Sequence, residues 1–216
     1  MSYHHVLSAA VALALSSTAY GAGIPAGKVA DWSGGTANIM IYGHDAPIGR
    51  IHENGAVTFD LPTPPETGRT VAQTFDRCRT GSLEVVNGDA DVAPIMMYAD
   101  IGGNEVGMVA ADSPEMAAYQ LSWGQTELAK GSFLRWLHVD GAASVTGKCV
   151  ENLLTVSGPV DFVNESALRF APGWNLVRTT HVEIMPHDDG SAHVIHAVDD
   201  ALQALPAGAQ WYLEKK

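Results

Sequence analysis

The chain has 216 residues, with 24 Asp and Glu against 12 Lys and Arg, so it carries a formal net charge of -12 at pH 7. A surface of that sign repels polyanions, and no basic cluster exceeds the terminal Lys215-Lys216 pair, which argues against nucleic acid and anionic membrane surfaces as partners. Only 17% of residues are charged, and 22 Gly, 11 Pro and many short apolar runs predict strands and turns rather than long helices.

The first element is an uncharged apolar run from Val6 to Leu15, followed by the small-residue stretch Ala19-Tyr20-Gly21-Ala22. The run is far shorter than the roughly 20 residues of a bilayer span, so residues 1–21 read as a secretory signal peptide cleaved after Gly21 or Ala19. His4 and His5 stand where Lys or Arg is usual, and a buried N-terminal helix is the alternative. No cysteine follows the run, which closes the lipoprotein route, and no later stretch is apolar for long enough to span a membrane. The expectation is a secreted or periplasmic protein of about 195 residues, enough for one large β domain or two small ones.

From Ala37 the pattern is that of β structure. Ala37 to Tyr42 alternates about Ile39 and Ile41, and Ile48 to Ile51 leads through Asn54-Gly55 into Val57 to Leu61, a hairpin signal of the type I′ kind. Pro62, Pro64 and Pro65 end that strand, and a short helix over Arg69 to Arg77 would follow. Residues 22–66 form an N-terminal β region and 67–216 a second, continuous with the first or separate from it. Within the second, Ser82 to Val86, Val92 to Tyr98 and Glu105 to Ala110 predict strands, with turns at Asn87-Gly88-Asp89 and Gly102-Gly103-Asn104. Asp112-Ser113-Pro114-Glu115 predicts a helix start. Ser132 to Val139, Ala143 to Thr146, Asn152 to Val156 and Ala167 to Phe170 continue as strands. Trp174 to Met185 and Ala192 to Val198 predict a hairpin turning at Asp189-Gly190, Asp199-Asp200 would cap a last helical turn, and Trp211-Tyr212-Leu213 would close the fold.

The two cysteines, Cys78 and Cys149, have neither zinc-knuckle nor CxxC spacing. In an oxidising compartment they would pair, closing a loop of about 70 residues that restricts the unfolded chain by roughly 4 kcal/mol; two separate buried thiols are the alternative.

Several segments together resemble a group of exported bacterial proteins whose opening is similar to the carboxypeptidase-regulatory, prealbumin-like β-sandwich. They are Asp31-Trp32-Ser33-Gly34-Gly35-Thr36-Ala37, Gly55 to Pro62, Cys78, Val145-Thr146-Gly147-Lys148-Cys149, Pro172 to Val177 and Trp211-Tyr212-Leu213. The resemblance implies an all-β fold, an antiparallel β-sandwich, and a Cys78 to Cys149 bridge; one or two short helices come from the residue pattern itself. It brings no catalytic residues.

Catalytic signatures are missing: there is no GxSxG elbow, no HExxH and no dinucleotide fingerprint. Gly141 to Lys148 imitates a P-loop with one residue too many, and Asp89-Ala90-Asp91 opens a calcium loop that is never completed. Asn164-Glu165-Ser166 fits a glycosylation sequon, a tripeptide common by chance. The densest cluster of chemistry is the C-terminal hairpin. With regular alternation and an even-residue loop, His181, Glu183 and His196 would share one face, a plausible shell for Zn²⁺ or Cu²⁺. The plain alternative is the solvated face of an edge hairpin. Trp32 and Trp123, beside glycines, are the candidates for exposed aromatic platforms, whereas Met96-Met97, Trp136, Trp174 and Trp211 sit in core-like strands. The favoured expectation is therefore an exported, non-catalytic β protein that binds an extracellular or envelope protein or a glycan. A metal-binding protein or metal-dependent hydrolase using the hairpin, and a carbohydrate-binding module, are the rivals.

Overall fold

The structure, a computed structural model, describes residues 24–61, 68–75, 78, 80–155, 158–186 and 192–214. Within them the chain is all-β, with two short helices, and its strands form one continuous mixed sheet.

The N-terminal strands are β1 (Ile24–Lys28), β2 (Ala37–Ile41), β3 (Gly49–Ile51) and β4 (Ala56–Phe59). In β2 the period-two pattern buries Ala37, Ile39 and Ile41 and leaves Asn38 and Met40 partly exposed. Later come β7 (Met97–Ile101), β8 (Asn104–Ala111) and, near the end of the chain, β14 (Gln210–Leu213). Pairing runs β1-β4-β3-β2-β7-β8, and Met108 of β8 faces both Met97 of β7 and Leu213 of β14. β7 and β14 thus lie on opposite edges of β8. β14 then returns to β1, where Val29 and Trp211 form a parallel bridge and the Ala30 N–H donates to the Trp211 carbonyl at 2.8 Å. Seven strands close into a ring, which removes open edges. Ile39, Ile48, Ile51, Val57 and Phe59 fill it, with Trp211 as the keystone: its indole N–H donates to the Ala26 carbonyl at 2.6 Å and its ring meets Phe59 edge-on at 5.4 Å.

The remaining strands are β5 (Thr80–Val86), β6 (Val92–Pro94), β9 (Gly131–Val139), β10 (Ala143–Thr155), β11 (Gly158–Phe170), β12 (Gly173–Pro186) and β13 (Ala192–Leu202). They make a second, open part of the sheet in the order β9-β12-β13-β11-β10-β5. The two parts join at a fork. Ala110 and Ala111 pair with β14 on one side and with Leu134 and Phe133 of β9 on the other, so β7 and β9 occupy successive stretches of the same edge of β8. β9 and β12 turn Leu134 and Leu176 toward the ring core and Leu137 and Val177 toward a second core with Val145, Leu168 and Phe170. Helix α1 (Val71–Phe75) covers that core through Val71 and Phe75.

The structure corrects several expectations. The His52 to Ala56 turn has a positive φ at Gly55 (78°) but not at Asn54: the Gly55 N–H bonds the His52 carbonyl and Asn54 Oδ1 accepts from the Ala56 N–H, a bulged turn rather than type I′. Gly102 and Gly103 have φ of 61° and 83° and link β7 to β8 as a two-residue turn. The predicted strand Val92 to Tyr98 is two strands, because the chain leaves β9 after Pro94 and joins the ring at Met97. Asp199 and Asp200 lie inside β13 instead of capping a helix, and Ala143 to Thr155 runs unbroken through Gly147. Besides the Val29–Trp211 bridge, one pairing among the described strands is parallel, β11 with β13, because the β12–β13 hairpin places β13 between β11 and β12. Buried Asn175 holds that crossing, accepting from the Ala171 N–H at 2.9 Å and donating to the Ala171 carbonyl at 2.8 Å. The ring also draws on β7, β8 and β14, so one sheet takes strands from both sides of residue 66, the continuous arrangement that the sequence left open.

Cys78 and Cys149 are bonded, with Cα atoms 5.3 Å apart, tying the start of edge strand β5 to β10. Among the described residues no helix is long and apolar enough to cross a membrane.

Candidate functional site

At the fork, where β7 and β9 part from one another along β8, a cleft of about 590 Å³ opens. That is within the range of roughly 300–1,000 Å³ typical of ligand pockets. The ring contributes Tyr42, Met96 and Met108, the open sheet Phe133, Arg135 and His181. The third wall is α2 (Pro114–Leu121) and the turn after it, with Tyr119, Leu121 and Trp123. Tyr42, Met96 and Trp123 are 53%, 53% and 77% exposed, so three of the molecule's large exposed apolar side chains gather at this one opening.

Local sequence explains how α2 delivers its wall. Ser113 caps the helix by accepting from the Met116 N–H at 3.2 Å, Pro114 occupies the first turn, and Met116 and Ala117 are buried against Phe133 and Ala111. The helix ends on Trp123, whose φ of 56° is left-handed; its N–H bonds the Gln120 carbonyl at 3.2 Å and the Gly124 N–H bonds the Tyr119 carbonyl at 2.9 Å. Glycine is the usual occupant of such a position, and an L residue there costs about 1 kcal/mol.

His181 is 8% exposed, wedged edge-on between Tyr119 and Phe133 with ring centroids 5.8 Å away in each case. Burial pushes its pKa below the ordinary histidine value, outweighing the Ala129 carbonyl bond and Asp199, so the ring is neutral at neutral pH. Its Nδ1 lies 3.3 Å from the Ala129 carbonyl, which assigns the proton to that nitrogen. Arg135 lines the cleft with its charge already engaged: Nη2 donates to Thr179 Oγ1 at 3.1 Å and lies 3.6 Å from Asp199 Oδ1, while Thr179 itself donates to Asp199.

The three residues expected to form a metal shell do not share a face. His181 pairs with Ala197 and Glu183 with His196, two steps on β12 for one on β13, so Val182 is an extra, bulged residue. Paired residues point the same way and neighbours on a strand point oppositely. His181 therefore turns toward Phe133, whereas Glu183 and His196 turn to the opposite face, where His196 Nε2 is 3.4 Å from Glu165 Oε1. Among the described residues no group of three or more His, Cys, Asp or Glu is placed to hold a metal ion. His187, Asp188 and Asp189 lie outside the described residues.

Of the two tryptophans expected at the surface, Trp123 is there; Trp32 is partly buried, packed over Gly34 and against the ring core. Asn164 sits inside the open sheet between Cys149 and Ala197 with its Oδ1 buried, a poor glycan acceptor. Sequence reasoning missed Tyr42, Met96, Tyr119 and Arg135. The one local signal was the capped helix ending at Trp123-Gly124, which carries Tyr119 four residues before Trp123. Comparison with protein-family models, with curated proteins and with solved structures gives no match, so the reading of this chain rests on its own geometry.

Proposed function

We propose that this is an exported, non-catalytic binding protein of the periplasm or the cell exterior, and that the fork cleft is its ligand seat. The observation that carries the reading is Trp123: an indole 77% exposed, held in an unfavourable backbone conformation, at the mouth of a cleft lined by tyrosines and methionines. The ligand offers a flat apolar face for stacking. The apolar leader with its small-residue cleavage site and the Cys78–Cys149 bond support export.

Two measurements test it. Intact mass of the protein recovered from a secreting host should begin after Gly21 or Ala19; a mature chain that retains Met1 would sink the export half. An uncharged hydrophobic fluorescent dye, N-phenyl-1-naphthylamine, should bind the folded protein at one site and lose that site in Trp123→Ala with the circular dichroism unchanged. Equal binding by both forms would remove the cleft from consideration.

A further inference from the structure

We infer that the cleft takes an organic cation, an ammonium group carried on an apolar body, seated against the Glu214 carboxylate. The inference rests on the cleft being a ligand seat and names what sits in it.

The place of that carboxylate follows from strand register. Tyr98 of β7 faces Gly107 of β8, whose carbonyl in turn accepts from the Glu214 N–H at 2.9 Å. A missing side chain therefore separates a tyrosine from a carboxylate. A Cβ placed on Gly107 would lie 3.3 Å from Glu214 Oε2 and 3.3 Å from Leu121 Cδ2, so these two side chains close over the glycine and set an anionic oxygen beside an apolar wall in the cleft lining. Tyr42 packs on Tyr98 with ring centroids 4.7 Å apart and brings its own ring to the cleft lining.

Charge decides between ligand types. Arg135 is the one Lys or Arg among the lining residues, and its guanidinium is held by Thr179 and Asp199. No cation of the described residues forms an ion pair with Glu214. Asp100 and Glu105, paired across β7 and β8 two residues beyond Tyr98 and Gly107, add negative charge on the same face, in a chain whose net charge is -12. Aromatic faces of Trp and Tyr attract cations through their quadrupoles, with Trp the strongest. An anionic ligand would meet the unpaired Glu214 charge, and a purely apolar one that covered the carboxylate would desolvate it without compensation.

The experiment uses a matched pair, benzyltrimethylammonium and its uncharged isostere neopentylbenzene, titrated into the mature protein by ligand-observed nuclear magnetic resonance. The cation should bind at least about tenfold more tightly than the isostere, and Glu214→Gln should reduce that preference to about twofold or less. Trp123→Ala should weaken both. A preference that survives Glu214→Gln, or no preference in the native protein, overturns the cation inference and leaves the cleft as an apolar seat. Failure of both compounds to bind, or binding of both undisturbed by Trp123→Ala, overturns the cleft reading as well.

Discussion

The closed ring and the open sheet are built from one continuous ladder of strands, yet they stabilise themselves differently. All five buried polar side chains among the described residues, Ser166, Asn175, Thr179, His181 and Asp199, belong to β11, β12 and β13 of the open sheet. The ring interior is apolar and its last edge is sealed by backbone bonds between β14 and β1. The open sheet retains an edge in β5, and there the chain uses its one disulfide. A sheet that closes needs only a matched apolar filling, whereas one that stays open needs a covalent tie and internal hydrogen bonds to fix its curvature.

The largest test of that contrast is Trp211→Ala. It removes an indole that is 2% exposed together with its bond to Ala26, and should cost about 3–5 kcal/mol in denaturant unfolding, with ring amides losing exchange protection first. A loss below about 1 kcal/mol would mean that the ring does not depend on β14. Replacing Cys78 and Cys149 together by Ala should cost about 2–4 kcal/mol, and here β5 and β10 amides should exchange faster while those of β2 and β3 keep their protection. Equal loosening of both regions would erase the distinction drawn between them.

Smaller is Trp123→Gly at the junction, which relieves the left-handed backbone and should raise stability by about 1 kcal/mol while weakening dye binding. A destabilised variant would show that the indole packs for structure rather than for a ligand. The smallest concerns acid. The folded-state pKa of His181 is depressed by burial, so the unfolded chain takes up a proton that the folded chain refuses; stability is complete above the ordinary histidine value and declines as pH falls below about 6.5 toward the depressed one. His138, depressed in the same direction by burial, acts in the same sense. His181→Phe should flatten stability between pH 7 and pH 5 as followed by thermal unfolding, and an unchanged slope would assign the acid sensitivity elsewhere.

What could be read from the residues was local. Strand β2 follows from Ile39 and Ile41, α2 from Ser113-Pro114, and the β12–β13 hairpin from its long apolar alternation, because period and cap are properties of adjacent residues. The bulge at Val182 was not legible, since it depends on how two strands settle against each other, and one extra residue moved Glu183 to the face opposite His181. Nor was the cleft. Tyr42, Gly107, Trp123, Arg135 and Glu214 meet only because two strands share one edge of β8, and no spacing along the chain encodes that meeting.

The bond from the Trp211 indole to the Ala26 carbonyl spans 185 positions of sequence. A ring whose first strand waits for its last cannot close until β14 has been synthesised. Until β14 arrives, the outer edge of β1 and the side of β8 that β14 covers remain bare, open to strands of other molecules. Contacts of such separation slow folding and prolong that interval. The molecule is thus most vulnerable to aggregation in the moments before β14 docks, and a holdase acting on it would need to shield β1 and the bare side of β8 until β14 is in place.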